Sequence, residues 1–86
     1  MPDPTPLSRL LAAVADLGAA MGGFLGTIGA QDVDTLTKSQ SQRAATLGTI
    51  TTYETLENGL TETQEALKSA MLNAWDDHDA TFAGGN

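Results

Sequence analysis

One histidine, eleven carboxylates and no cysteine are what this sequence offers for acid–base, nucleophilic or metal chemistry. The densest cluster is Asp76-Asp77-His78-Asp79. A metal ion needs several ligands converging on one point. Four consecutive residues on a helix cannot supply that, and no second cluster completes a shell, so the run reads as the solvated end of a helix. The pairs Glu54/Glu57 and Glu62/Glu65 stand at helical spacing. An acid–base pair needs surroundings that drive the two pKa values apart, and nothing apolar surrounds these; they read as a solvated face. A lone histidine with scattered serines gives no nucleophile–base pair. The glycines between residues 18 and 26 have neither GxGxxG nor GxxxxGK spacing and follow no strand, so they form no phosphate loop. The expectation is therefore a protein that is not an enzyme, with no catalytic, cofactor-binding or metal-binding residues and no cofactor.

Composition narrows the classes further. The chain has 86 residues, 41% of them hydrophobic but only 5% aromatic, namely Phe24, Tyr53, Trp75 and Phe82. That is one domain at most, with a small core and no disulfide staple. Small unstapled chains often lean on oligomerisation. The net charge of -7 argues against nucleic acid and against anionic membrane surfaces. The start, MPDPTP, has no basic n-region and does not read as a secretory signal.

The stretch that organises the rest is Leu7 to Ala30. Pro2, Pro4 and Pro6 disfavour helix before Thr5, so residues 1–5 read as an extended leader. Thr5 suits the N-cap and Pro6 the first helical position, which predicts a first helix over 6–28. At about 100° per residue, Leu7, Leu10, Leu11, Val14, Leu17, Met21, Phe24, Leu25 and Ile28 share one broad arc. Ala12, Ala15, Ala19, Ala20, Gly22, Gly23 and Gly26 make the opposite side, where a surface helix should carry charge. Gly18, Gly22 and Gly26 recur every four residues, the spacing of a flat groove. A helix apolar or small all round must be covered, and so short a chain has little mass to do it alone. Other copies are expected to supply the cover. The run is nearly long enough to span a bilayer, but its glycines, Asp16 and absent basic anchors argue against insertion.

The pattern then predicts a turn at 29–31, with Gly29 as a left-handed cap. Asp32 starts a second helix over 32–78, about 70 Å long against about 33 Å for the first. Asn58-Gly59 could break it, with Thr61 to Gln64 as a capping box for the restart. Val33, Leu36, Leu47 and Ile50 lie on one side of this helix; Leu56, Leu60, Leu67 and Met71 lie on the other, bridged by Tyr53. Trp75 follows at spacing four and reads as packing. Residues 79–86 read as a tail. The expected fold is all-α: an elongated antiparallel helical hairpin that assembles into a helical filament. The expected subunit contacts are Leu10, Val14, Gly18, Met21, Gly22, Phe24, Leu25, Gly26 and Ile28 from the first arm. The second arm adds Leu47, Ile50, Leu56, Leu60, Leu67, Met71 and Trp75.

In layout the chain resembles subunits of the type III secretion needle and Hrp pilus group. The Gly/Ala-rich stretch Ala12 to Gly29 is similar to the first helix of Hrp-type pilins. The amide-rich run from Ser39-Gln40-Ser41-Gln42 through Gln64 is similar to their second. The proline-free turn and the Gly84-Gly85-Asn86 ending match the plant-type pilus better than the animal-type needle. The resemblance implies export without a cleaved signal, a homo-polymeric surface filament, and partners in the secretion apparatus and in unfolded effectors passing through a lumen. Gln40, Gln42, Thr46, Thr49 and Thr52 would then form its wet lining. Two other classes stay open: a small membrane-embedded or phage-type coat subunit with Leu10–Ala30 in lipid, and a soluble helical adaptor binding one partner through the glycine-lined face.

Overall fold

A computed structural model describes residues 5–83. The protein is all-α, with three helices and no strand among the described residues: α1 (Pro6–Ala20), α2 (Leu36–Glu57) and α3 (Glu62–Ala83). A 3-10 turn, Ala30–Asp32, interrupts the long connection between α1 and α2. Most of the expected leader (1–4) and the end of the expected tail (84–86) lie outside the described residues.

Local chemistry explains each boundary. Thr5 caps α1, its Oγ1 accepting from the Ser8 N–H at 3.0 Å, with Pro6 at the first helical position. The helix stops at Ala20, eight residues short of the expected end. Gly22 and Gly23 have φ of 65° and 85°, a region nearly closed to other residues. The Gly22 N–H donates to the Ala19 carbonyl at 3.1 Å and the Gly23 N–H to the Gly18 carbonyl at 2.9 Å. This is the Schellman arrangement, which satisfies the last helical carbonyls. The predicted groove of Gly18, Gly22 and Gly26 therefore does not exist: only Gly18 lies in the helix, while Gly22 and Gly26 are exposed outside it.

The expected turn at 29–31 is also replaced. Gly29 is extended, with φ of -100°. The Asp32 carboxylate accepts from the Gly29 N–H at 2.8 Å and closes the 3-10 turn. Thr35, not Asp32, caps α2, accepting from the Lys38 N–H at 3.2 Å. The long second helix is two helices. Asn58 takes φ of 62°, and both its N–H and that of Gly59 donate to the Glu54 carbonyl. Thr61 and Gln64 then form the anticipated capping box, with N–H to side-chain distances of 2.9 and 3.1 Å. From there α3 runs past His78 to Ala83.

The topology differs from a two-helix hairpin. The Arg9 guanidinium reaches Asp77, and the Ala20 carbonyl accepts from Gln64. Ser39 meets Asp79, and Tyr53 meets Gln64. Both α1 and α2 thus run antiparallel to α3, and residues 21–35 cross back along the bundle between them. α1 lies against α3 along its length, whereas α2 touches α3 more sparsely. The shape is flat, 43 × 30 × 18 Å.

The core forms on the α1–α3 seam. Leu10, Val14, Leu17 and Met21 recur at spacings of four and three, one apolar stripe of a helix, and all are buried. They pack with Met71, Ala74 and Trp75 of α3; the crossover adds Leu25 and Val33, and α2 adds Ile50. Burying each large side chain stabilises by about 1.5–3 kcal/mol. The shelter that the sequence assigns to other copies is thus supplied for this stripe by the chain's own α3. Among the described residues no helix is long and apolar enough to cross a membrane. The glycine stop leaves α1 at 15 residues, or about 22 Å, against a hydrocarbon core of about 30 Å.

Gly18 is the glycine the packing requires. A Cβ there would sit 2.9 Å from the Leu25 carbonyl oxygen. Gly18→Ala should lower stability by about 1–3 kcal/mol through overpacking, although alanine is the better helix former by about 1 kcal/mol. Urea unfolding reads this, and an alanine variant as stable as its parent refutes the close approach.

Candidate functional site

The residues most capable of chemistry gather at the C-terminal end of α3, and each serves structure. Asp76 pairs with Arg43 of α2 at 2.8 Å, and Asp77 approaches Arg9 of α1 at 3.7 Å. Asp79 accepts from the Ser39 hydroxyl and lies 3.7 Å from Arg43. His78 points elsewhere: its Nε2 donates to the Val33 carbonyl at 2.7 Å, and its ring meets Phe82 edge-on at 5.0 Å. Four consecutive side chains therefore tie α3 to α1, to α2 and to the crossover. The solvated helix end expected here is wrong for His78, which is 5% exposed, and for Asp79, which is partly buried.

Ser, His and Asp all occur at this end, yet they do not form a nucleophilic triad. A triad needs the histidine between the hydroxyl and the carboxylate. Here Ser39 bonds the carboxylate directly, while the histidine faces a backbone carbonyl. Ser39 is fully buried and accepts from the Trp75 indole N–H at 2.9 Å. Among the described residues no group of three His, Cys, Asp or Glu side chains is placed to hold a metal ion.

Gln64 makes a second polar junction at the opposite end. Its Nε2 donates to the Ala20 carbonyl at 2.8 Å and lies 3.1 Å from the Tyr53 hydroxyl, while its Oε1 accepts from Thr61. One buried amide thus links the end of α1, the last turns of α2 and the start of α3. The capping role was legible from spacing; the reach to Ala20 and Tyr53 was not.

The residues expected at subunit contacts scatter. Leu10, Val14, Gly18, Met21, Leu25, Ile50, Met71 and Trp75 are buried inside the chain, and Ile28, Leu47, Leu60 and Leu67 pack partly against that core. Gly22, Gly26, Phe24 and Leu56 are exposed. The expected polar lining also divides: Gln40 and Thr52 are exposed, Gln42 and Thr49 are half-buried, and Thr46 is buried at 4% exposure.

What emerges instead is the outer face of α2. The exposed residues between Gln40 and Leu56 are Gln40, Ser41, Ala44, Ala45, Gly48, Thr51, Thr52, Thr55 and Leu56, and none is charged. The charged residues of this span, Arg43 and Glu54, are half-buried on its flanks. The threonine hydroxyls are already engaged: Thr51, Thr52 and Thr55 donate to the carbonyls of Leu47, Gly48 and Thr51 at 3.0–3.1 Å. The face is therefore less polar than its composition. Phe24 and Leu56, the large hydrophobics left exposed at 44% and 67%, sit on its flank, Phe24 edge-on to Tyr53 at 5.3 Å. Shallow clefts run beside it, lined by the crossover residues Leu25–Ile28 and by Gln42, Ala45 and Thr49. The sequence signal for this face was a mid-helix glycine, Gly48, among alanines and threonines.

Ser39→Ala should cost about 1–3 kcal/mol, because it leaves the buried Trp75 N–H without an acceptor. In a double-mutant cycle with Trp75→Phe, the second change should add less than it does alone. Strict additivity in urea unfolding would rule out the hydroxyl–indole bond.

Comparison with protein-family models, with curated proteins and with solved structures finds no match to this chain.

Proposed function

We propose that this protein is a structural subunit without catalytic activity, and that it works by packing its helices against other polypeptide chains. The observation that carries this reading is the uncharged outer face of α2, which runs from Gln40 to Leu56 in a chain with a net charge of -7. Charged side chains normally cover an exposed helix face. A face without them, flanked by exposed Phe24 and Leu56, suits burial by a partner. The residue types capable of chemistry are tied into the fold by Ser39, Arg43 and Val33, which also favours a packing role.

The assembly we propose is the one that the layout resemblance implies: a homo-polymeric secretion filament, exported without a cleaved signal and conducting unfolded effector proteins. The apolar stripe of α1 is covered within the chain, so the contacts between subunits fall to α2. Sedimentation and electron microscopy of the purified chain test the reading. Long rods that lengthen as the carboxylates are protonated and self-repulsion falls are the expected result. A chain that stays small at every concentration and pH overturns the filament.

A further inference from the structure

The break between α2 and α3 turns the chain back on itself through Asn58, Gly59, Leu60 and Thr61, none of them proline. Among the described residues Asn58 is the one residue other than glycine with positive φ, at 62°, and Gly59 follows at 118°. Asparagine tolerates that region better than most residues but less well than glycine. The turn lays α3 along α2, yet the apolar partner of α3 is α1.

α2 and α3 keep a common phase across this break. On one uninterrupted helix at about 100° per residue, the buried residues of α2 are Ser39, Thr46 and Ile50, and those of α3 are Gln64, Met71, Ala74, Trp75 and His78. All of them fall in a single arc of about 120°. A hairpin does not require this, because each arm can bury whichever face its own packing selects. A straight helix that serves two cores does require it. Beyond the first turn of α2, the exposed residues on that arc are Leu56 and Glu57, immediately before the break. Leu56 continues the stripe of Leu60, Leu67 and Met71, and the turn leaves it 67% exposed.

We infer that two copies of the chain exchange α3. Asn58 to Thr61 become helical, α2 and α3 join into one helix about 72 Å long, and α3 of each copy packs on α1 of the other. The two surfaces are complementary by identity, since the exchanged α3 meets the same Leu10, Val14 and Leu17 that it meets in the single chain. The pairs Arg43–Asp76 and Tyr53–Gln64 become contacts between copies. Both are centred on residues 58–60, so the long helices cross antiparallel about a two-fold axis at the former turn. That crossing brings Leu56 and Leu60 of the two copies together and takes the exposed leucine out of water. The exchange replaces the two bonds of the Thr61–Gln64 box with helical ones and otherwise repeats the contacts of the single chain, so concentration decides between the two forms. A two-fold exchange closes at the dimer and does not need the filament.

α3 must leave α1 before it can be exchanged, so refolding is the route. The full chain unfolded in urea and refolded at about 1 mM should give a dimer in sedimentation velocity, and refolded at about 10 μM a monomer. Far-ultraviolet circular dichroism checks folding. The double variant Asn58→Ala, Gly59→Ala strains the turn and favours helix through it, and should raise the association constant at least about tenfold. Asn58→Gly relaxes the turn and should lower the constant about threefold. In dimers refolded from a mixture of isotope-labelled and unlabelled chains, isotope-filtered NOEs should join α1 methyl groups of one chain to the Trp75 ring of the other. A wild-type chain that is monomeric after refolding at the higher concentration overturns the inference. So does a dimer whose contacts between α1 and Trp75 stay within one chain, or a double variant that dimerises no better than its parent. Rods formed by a chain without the exchanged dimer overturn the inference and leave the filament standing; an exchanged dimer that forms no rods does the reverse.

Discussion

α2 holds too little apolar surface to be fastened by burial alone. Of its 22 residues only Ser39, Thr46 and Ile50 are buried, and only the isoleucine is large and apolar. What secures it is a side-chain hydrogen-bond network at each end. Ser39 and Arg43 engage Trp75, Asp76 and Asp79 at one end, and Tyr53 meets Gln64 at the other. A neutral hydrogen bond contributes about 1 kcal/mol net, but a buried group stripped of its partner costs more. The network therefore fixes the position of α2 more than it stabilises the whole. The buried side-chain polar atoms of the described residues all have partners, as such an arrangement requires.

The division of labour among the helices follows. α1 and α3 make an apolar seam of ordinary heptad-like spacing, and α3 supplies the polar anchors at both of its ends. The crossover from Met21 to Thr35 contributes Leu25 and Val33 to the core and receives the His78 bond. α2 is then free to turn a long face outward. The acidic end of α3 opposes the helix dipole, but Arg9 and Arg43 lie close to three of its carboxylates.

Local rules read parts of this fold well. The Thr5–Pro6 start and the Thr61–Gln64 box follow from side chains that bond within four residues, and the Asn58-Gly59 break from two residue types that tolerate positive φ. The end of α1 was misplaced because apolar periodicity continues through Phe24, Leu25 and Ile28 although the helix does not. Two adjacent glycines outweigh the pattern: of the apolar residues after them, Leu25 enters the core from the crossover, Ile28 packs partly against it and Phe24 stays exposed. The apolar stripe of α1 finds its cover in α3, with Leu25, Val33 and Ile50 closing the core, whereas Ala12, Ala15 and Ala19 on its other side stay exposed. Ser39, Arg43 and Gln64 look like ordinary surface residues of a polar helix. Their roles depend on partners 33 to 44 positions away, which no local window contains.

Trp75 gives the molecule an internal optical gauge. It is the only tryptophan, it is fully buried in the α1–α3 seam, and its indole hydrogen-bonds a hydroxyl on α2. Its emission therefore responds to two separate events. Lifting α2 away removes the hydroxyl and admits water to one edge of the ring, whereas parting α1 from α3 wets the whole ring. A single chromophore thus distinguishes the loosening of one arm from the melting of the whole protein, with no label attached.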